Sequence, residues 1–102
     1  MSFQTWASDL KAKGEKIIPS DDPVYAYADG IGLPRDFLRL AWVEFKARYS
    51  EPGAKRYRDW RAVFRKAVRG NWLKLWYLDG DDFLLTTVGH QAQRTHAEKD
   101  AA

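Results

Sequence analysis

Apolar side chains in the first stretch of the chain fall at Phe3, Trp6 and Leu10. Spacings of three and four place them on one face of a short helix that Gly14 ends. "IIPSDDP" interrupts the pattern. Asp22 then supplies a capping carboxylate and Pro23 the residue favoured at a first helical position, so "VYAYADGIG" is expected to be a short helix closed by Gly30 or Gly32. Pro34 opens the next helix in the same manner. The strongest periodicity runs from Phe37 to Tyr49. Leu38, Ala41, Trp42, Phe45 and Tyr49 share one face, and Leu40, Val43 and Ala47 lie opposite. A helix apolar on two sides is expected at the centre of the fold, with neighbours on both. "SEPG" breaks it.

The run "KRYRDWRAVFRKAVRGNWLKLW", residues 55–76, mixes both kinds of position. Tyr57, Trp60, Val63, Phe64, Ala67 and Val68 form one broad helical face. Arg58, Arg61, Arg65 and Arg69 occupy an adjacent sector about 80° wide. Gly70–Asn71 either ends this helix or is absorbed within it. Beyond it, "WLKLWYL" and "FLLTT" flank an Asp-Gly turn, which predicts a β-hairpin from Leu75 onward, against a continued helix through Trp76. "VGHQAQRTHAEKDAA" reads as a short helix or a fraying end. The expected fold is mainly α: a small bundle of four to five helices with a short C-terminal β-hairpin, or a winged-helix-like variant of it. Residues 1–96 are expected to form one helical domain and residues 97–102 a disordered tail.

Composition narrows the class. The 102 residues contain no Cys, which excludes disulfides and thiol chemistry and suits a reducing cytoplasm. No apolar run approaches the length of about 18 residues that a membrane span needs, and the first residues lack the apolar core of a secretory signal. The net charge of +3 conceals a block structure. Residues 1–34 carry −2, residues 35–74 carry +8 and residues 75–102 carry −3. A basic block between acidic ends is either a solvated helix face or the electrostatic footprint of a phosphate partner.

Catalytic and metal chemistry is poorly supplied, and no enzyme activity, cofactor or metal is expected. His90 and His96 are six residues apart, which on a helix separates their faces; both are expected on the surface. The acids of "DGDDF" suit a turn better than a calcium loop, whose sixth and twelfth places would hold Leu84 and His90. No glycine-rich phosphate loop or nucleophile elbow is present. The arginines are better placed: along one sector they can meet successive phosphates. Trp72 borders that sector, where it can stack on an unpaired base if it is exposed.

"FLRLAWVEFKARY" followed by "RYRDWRAVFRKAVRGNWLK" resembles the C-terminal domain of primosomal DnaT and related phage replication proteins. Phe45 and Tyr49 match that pattern's first helix, and Trp60, Phe64 and Trp72 its second, across residues 34–76. The resemblance implies a small helical bundle that binds single-stranded DNA, with Lys55, Arg58, Arg61 and Arg65 on the nucleic acid and Trp60 and Phe64 in the core. After residue 76 the pattern departs. The hairpin and "LLTTVG" resemble the wing of winged-helix proteins instead, which keeps double-stranded DNA as an alternative ligand with residues 57–70 in the groove.

The sequence therefore leads to a non-catalytic, cytoplasmic nucleic-acid-binding domain, with single-stranded DNA favoured, in a replication, primosome or phage setting. Its candidate contacts are Lys55, Arg58, Arg61, Arg65, Arg69 and Trp72. The competing readings are an adaptor that docks an acidic partner such as a replicative helicase, and a helical domain whose basic face is simply solvated. What separates them is whether the arginine sector is open or bridged to carboxylates such as Asp59, Glu44 and Glu51.

Overall fold

The computed structural model describes residues 2–51 and 53–101, without the side chains of residues 98–101. Its elements follow the order α1 (Phe3–Ala12), α2 (Pro23–Ile31), α3 (Arg35–Tyr49), α4 (Trp60–Gly70), β1 (Trp76–Asp79), β2 (Asp82–Leu85) and α5 (Thr87–Ala101). The fold is mainly α, a five-helix bundle with one antiparallel hairpin. Of the tail expected over residues 97–102, the backbone is helical as far as Ala101 and only residue 102 lies outside the described residues. No described helix is long and apolar enough to cross a membrane.

Local chemistry explains where the helices begin and end. Asp22 caps α2 by accepting from the Val24 amide at 2.9 Å, with Pro23 in the first turn. Gly32, at φ 77°, closes the same helix in the left-handed conformation that glycine adopts without a Cβ penalty. Pro34 sits one place earlier than expected. It is the cap residue ahead of Arg35, because its ψ of 142° is extended rather than helical. The hairpin pairs Trp76 with Leu85 and Asp79 with Asp82, leaving Gly80 and Asp81 as a two-residue loop. Positive φ falls on Gly80 (62°) and not on Asp81, the pattern of type II′ turns.

The core is aromatic. Trp60 and Phe45 are fully buried, and Phe64 is almost so. Phe3 from α1 meets Trp60 edge-on, with centroids 5.4 Å apart at 88°. Phe45 meets Phe64 at 5.2 Å and 61°, and Tyr49 and Tyr57 each approach Trp60 edge-on at 5.1 and 5.0 Å. These tilted geometries bring positive ring edges to negative ring faces. Helix α3 packs against both α4 and α5, as its two apolar sides require.

Helix α5 is seated through a close backbone approach. The Thr86 hydroxyl donates to the Lys74 carbonyl at 2.6 Å and accepts from the Gly89 amide at 3.0 Å. One side chain thus caps α5 and ties it to the strand approach. Gly89 is buried directly against Leu75, the residue that leads into β1: a Cβ there would lie 2.0 Å from the Leu75 carbonyl oxygen. Only glycine fits.

Candidate nucleic-acid interface

The basic sector does not run along one helix. Asp59 adopts extended geometry (φ −122°, ψ 91°), and its carboxylate accepts from the Ala62 amide at 3.2 Å, so α4 begins at Trp60. Lys55 and Arg58 therefore lie in the loop before the helix, both exposed. The expected continuous stripe from Arg58 to Arg69, and with it the placing of residues 57–70 as one groove-filling helix, is corrected on this point. The cap ends the helix where the stripe was expected to begin.

The remaining three arginines have structural partners. Arg61 donates from Nε to the Ile17 carbonyl at 2.8 Å and from Nη2 to the Lys16 carbonyl at 2.6 Å. Arg65 donates from Nη1 to Oδ2 of Asp22 at 3.1 Å, where the Asp22 side chain is only 4% exposed. The Arg69 guanidinium lies over the Tyr27 ring, 5.1 Å from its centroid. The stripe advances one turn at a time at positions 61, 65 and 69. Each turn holds a later point of the N-terminal segment: Lys16–Ile17, then Asp22, then Tyr27. These residues form a seam that joins α4 to the α1–α2 connection and to α2. The acids weighed in the sequence are occupied differently. Asp59 caps α4, and Glu44 faces His96.

His96 itself corrects an expectation. The sequence pattern predicts a surface position for it, yet it is 8% exposed, and its Nε2 lies 2.8 Å from Oε2 of Glu44. The α3–α5 contact encloses it. His90, six residues earlier, is exposed. Among the described residues no group of three or more His, Cys, Asp or Glu side chains is arranged to hold a metal ion.

Trp72 is the open aromatic at the end of the seam, 46% exposed. Asn71 takes the left-handed conformation (φ 50°) and ends α4, and the Trp72 amide turns back to the Ala67 carbonyl at 3.0 Å. Asn71 Nδ2 donates to the Trp76 carbonyl at 2.8 Å, which fixes the turn to β1. The indole rests on the backbone of Gly70, since a Cβ there would fall 2.7 Å from its Nε1. Lys66 is one turn before Gly70 on the same side of α4, and Lys66, Arg69 and Lys74 are all exposed.

No family model matches the sequence, and neither a curated protein nor a solved structure is significantly similar to it.

Two further features were not visible in the sequence pattern. The hairpin leaves Tyr77, Leu78 and Leu84 exposed, at 47, 59 and 41%. Tyr77 and Leu84 are cross-strand partners and share one face. Near the start of α3, Arg35 holds Asp29 through two bonds of 3.0 and 2.8 Å. The hydrogen bond from Arg35 draws the Asp29 pKa below the ordinary carboxylate value, and the same bond raises that of Arg35.

Proposed function

We propose that this domain is a non-catalytic binder of single-stranded nucleic acid, working in a replication-type setting in the cytoplasm. Its contact surface is centred on Trp72 and the exposed cations Lys66, Arg69 and Lys74. The observation that carries this reading is the indole of Trp72, nearly half exposed and held on Gly70, with Lys66, Arg69 and Lys74 exposed on the same short stretch of chain. An exposed aromatic offers a stacking platform to any base, and the cations track the phosphates. Lys55 and Arg58 extend the basic surface from the loop before α4. Arg61 and Arg65 contribute indirectly, by holding the N-terminal segment against that helix.

The experiment is a fluorescence-anisotropy titration of a labelled single-stranded oligonucleotide at 50 and 200 mM salt. Three phosphate contacts on a single strand give a log–log salt slope of about −2, or roughly a 20-fold loss of affinity over that range. Trp72→Ala removes one stacked base, worth about 1–3 kcal/mol, and so weakens binding about 5- to 150-fold. Wild-type binding that ignores salt, or equal binding by a folded Trp72→Ala protein, refutes the reading.

The hairpin supports a second reading. Tyr77 and Leu84 expose adjoining apolar surface on one face of the hairpin, and Leu78 is exposed on the other, the mark of a protein contact. On that reading the domain is an adaptor, and Leu84→Asp abolishes capture of a protein partner while leaving oligonucleotide affinity unchanged.

A further inference from the structure

Helices α2 and α3 diverge beside the seam, over Phe64 of α4, and leave a cavity of about 430 Å³. Pockets for small ligands lie between about 300 and 1,000 Å³, with mostly apolar walls and a few polar groups that set orientation. Here Val24 and Tyr25 come from α2, and Leu38 and Trp42 from α3. The polar groups are Arg35 and Arg39, one turn apart on α3, with Asp36 between them.

The two arginines are in different states. Arg35 is pre-positioned: Asp29 holds its Nε and Nη2, and its guanidinium lies 4.8 Å from the centroid of the Tyr25 ring. Its Nη1 takes no part in that pairing. Arg39 is exposed and makes no ion pair or hydrogen bond among the described residues, although Asp36 precedes it by three positions. An unpaired guanidinium at the mouth of an aromatic-walled cavity offers several donors in a planar fork suited to a phosphate or carboxylate.

We propose that this cavity binds a planar aromatic ligand carrying an anionic group, the chemistry of a nucleotide. Tyr25 and Trp42 flank the ring, and Arg39, assisted by Nη1 of Arg35, holds the anion. The site lies on α2 and α3, whereas Trp72 follows α4. It does not depend on the Trp72 surface binding nucleic acid, and the two are tested separately.

The test is a calorimetric titration of the full chain with deoxyadenosine monophosphate, followed in parallel by intrinsic tryptophan fluorescence. The expected result is saturable one-to-one binding of the nucleotide, at least tenfold weaker for deoxyadenosine and for inorganic phosphate alone. An aromatic carboxylate such as indole-3-acetate tells whether the base or any ring-plus-anion ligand suffices: binding equal to the nucleotide's marks the general class, and weaker binding marks the nucleotide. Arg39→Glu, on an exposed side chain, is expected to fold and to lose at least tenfold in affinity. Tyr25→Ala is expected to weaken binding by removing the ring wall, and Trp72→Ala to leave it unchanged. The proposal is overturned if neither the nucleotide nor the carboxylate saturates at millimolar concentration, if folded Arg39→Glu binds as wild type does, or if Trp72→Ala abolishes the signal while Arg39→Glu retains it.

Discussion

Arg65→Met tests whether the arginine seam is structural. Met keeps the aliphatic stem of the side chain and removes the guanidinium. Asp22 then retains its bond from the Val24 amide at 2.9 Å but loses the cation 3.1 Å away. Its side chain is 4% exposed, so water replaces the lost partner poorly. Removing one member of a fully buried ion pair costs about 3–5 kcal/mol. The Arg65 side chain is 31% exposed, however, which brings water to one side of the pair. A hydrogen bond to a charged group, about 1.5–3 kcal/mol, is therefore the better guide, and we take roughly 2 kcal/mol. For a domain of this size each kcal/mol moves the melting temperature by about 4–8 °C, so the variant should melt roughly 8–16 °C lower by far-UV circular dichroism. Adding Asp22→Asn completes a double-mutant cycle in which the two losses are not additive, because they remove the same contact. A single Arg65→Met protein that melts within about 3 °C of wild type would show the guanidinium to be merely solvated and refute the seam. The same measurement guards the binding assay, since lost affinity in an Arg65 variant counts only for protein that is still folded.

Other outcomes follow from single contacts. Gly89→Ala drives a Cβ to 2.0 Å from the Leu75 carbonyl, so α5 must shift off the chain at Leu75; we expect at least about 3 kcal/mol lost, the upper range of overpacking, seen as a lower denaturant midpoint. Thr86→Val removes both the α5 cap and the bond to Lys74 and should cost about 1–2 kcal/mol in the same assay. Gly70→Ala puts a Cβ 2.7 Å from the Trp72 indole and must displace it, so oligonucleotide affinity should fall; a folded variant that binds as wild type does would contradict the geometry. Burial raises the pKa of Tyr49, with Tyr57 adding to the effect. The folded state therefore favours the neutral phenol. The resulting stabilisation is complete below the ordinary tyrosine value and is lost as pH rises through and beyond it, and Tyr49→Phe should flatten that alkaline loss in melting curves.

Much of the fold could be read along the chain because its signals are local. The Asp22–Pro23 start, the left-handed Gly32 stop, the Asp-Gly turn and the three-four spacing of Trp60, Val63, Phe64, Ala67 and Val68 all act through backbone geometry within a turn or two. They hold wherever the segment ends up. The candidate site had no such protection. Arg61, Arg65 and Arg69 were legible as a stripe, but their partners at Lys16–Ile17, Asp22 and Tyr27 are some forty residues away in sequence. Periodicity says which face an arginine occupies and nothing about what docks there. The same holds for His96, enclosed by Glu44 from α3, and for Gly89, whose need for a missing Cβ arises only once the chain at Leu75 lies against α5. Helix positions were written locally, whereas the division of cations between seam and surface followed from which faces met.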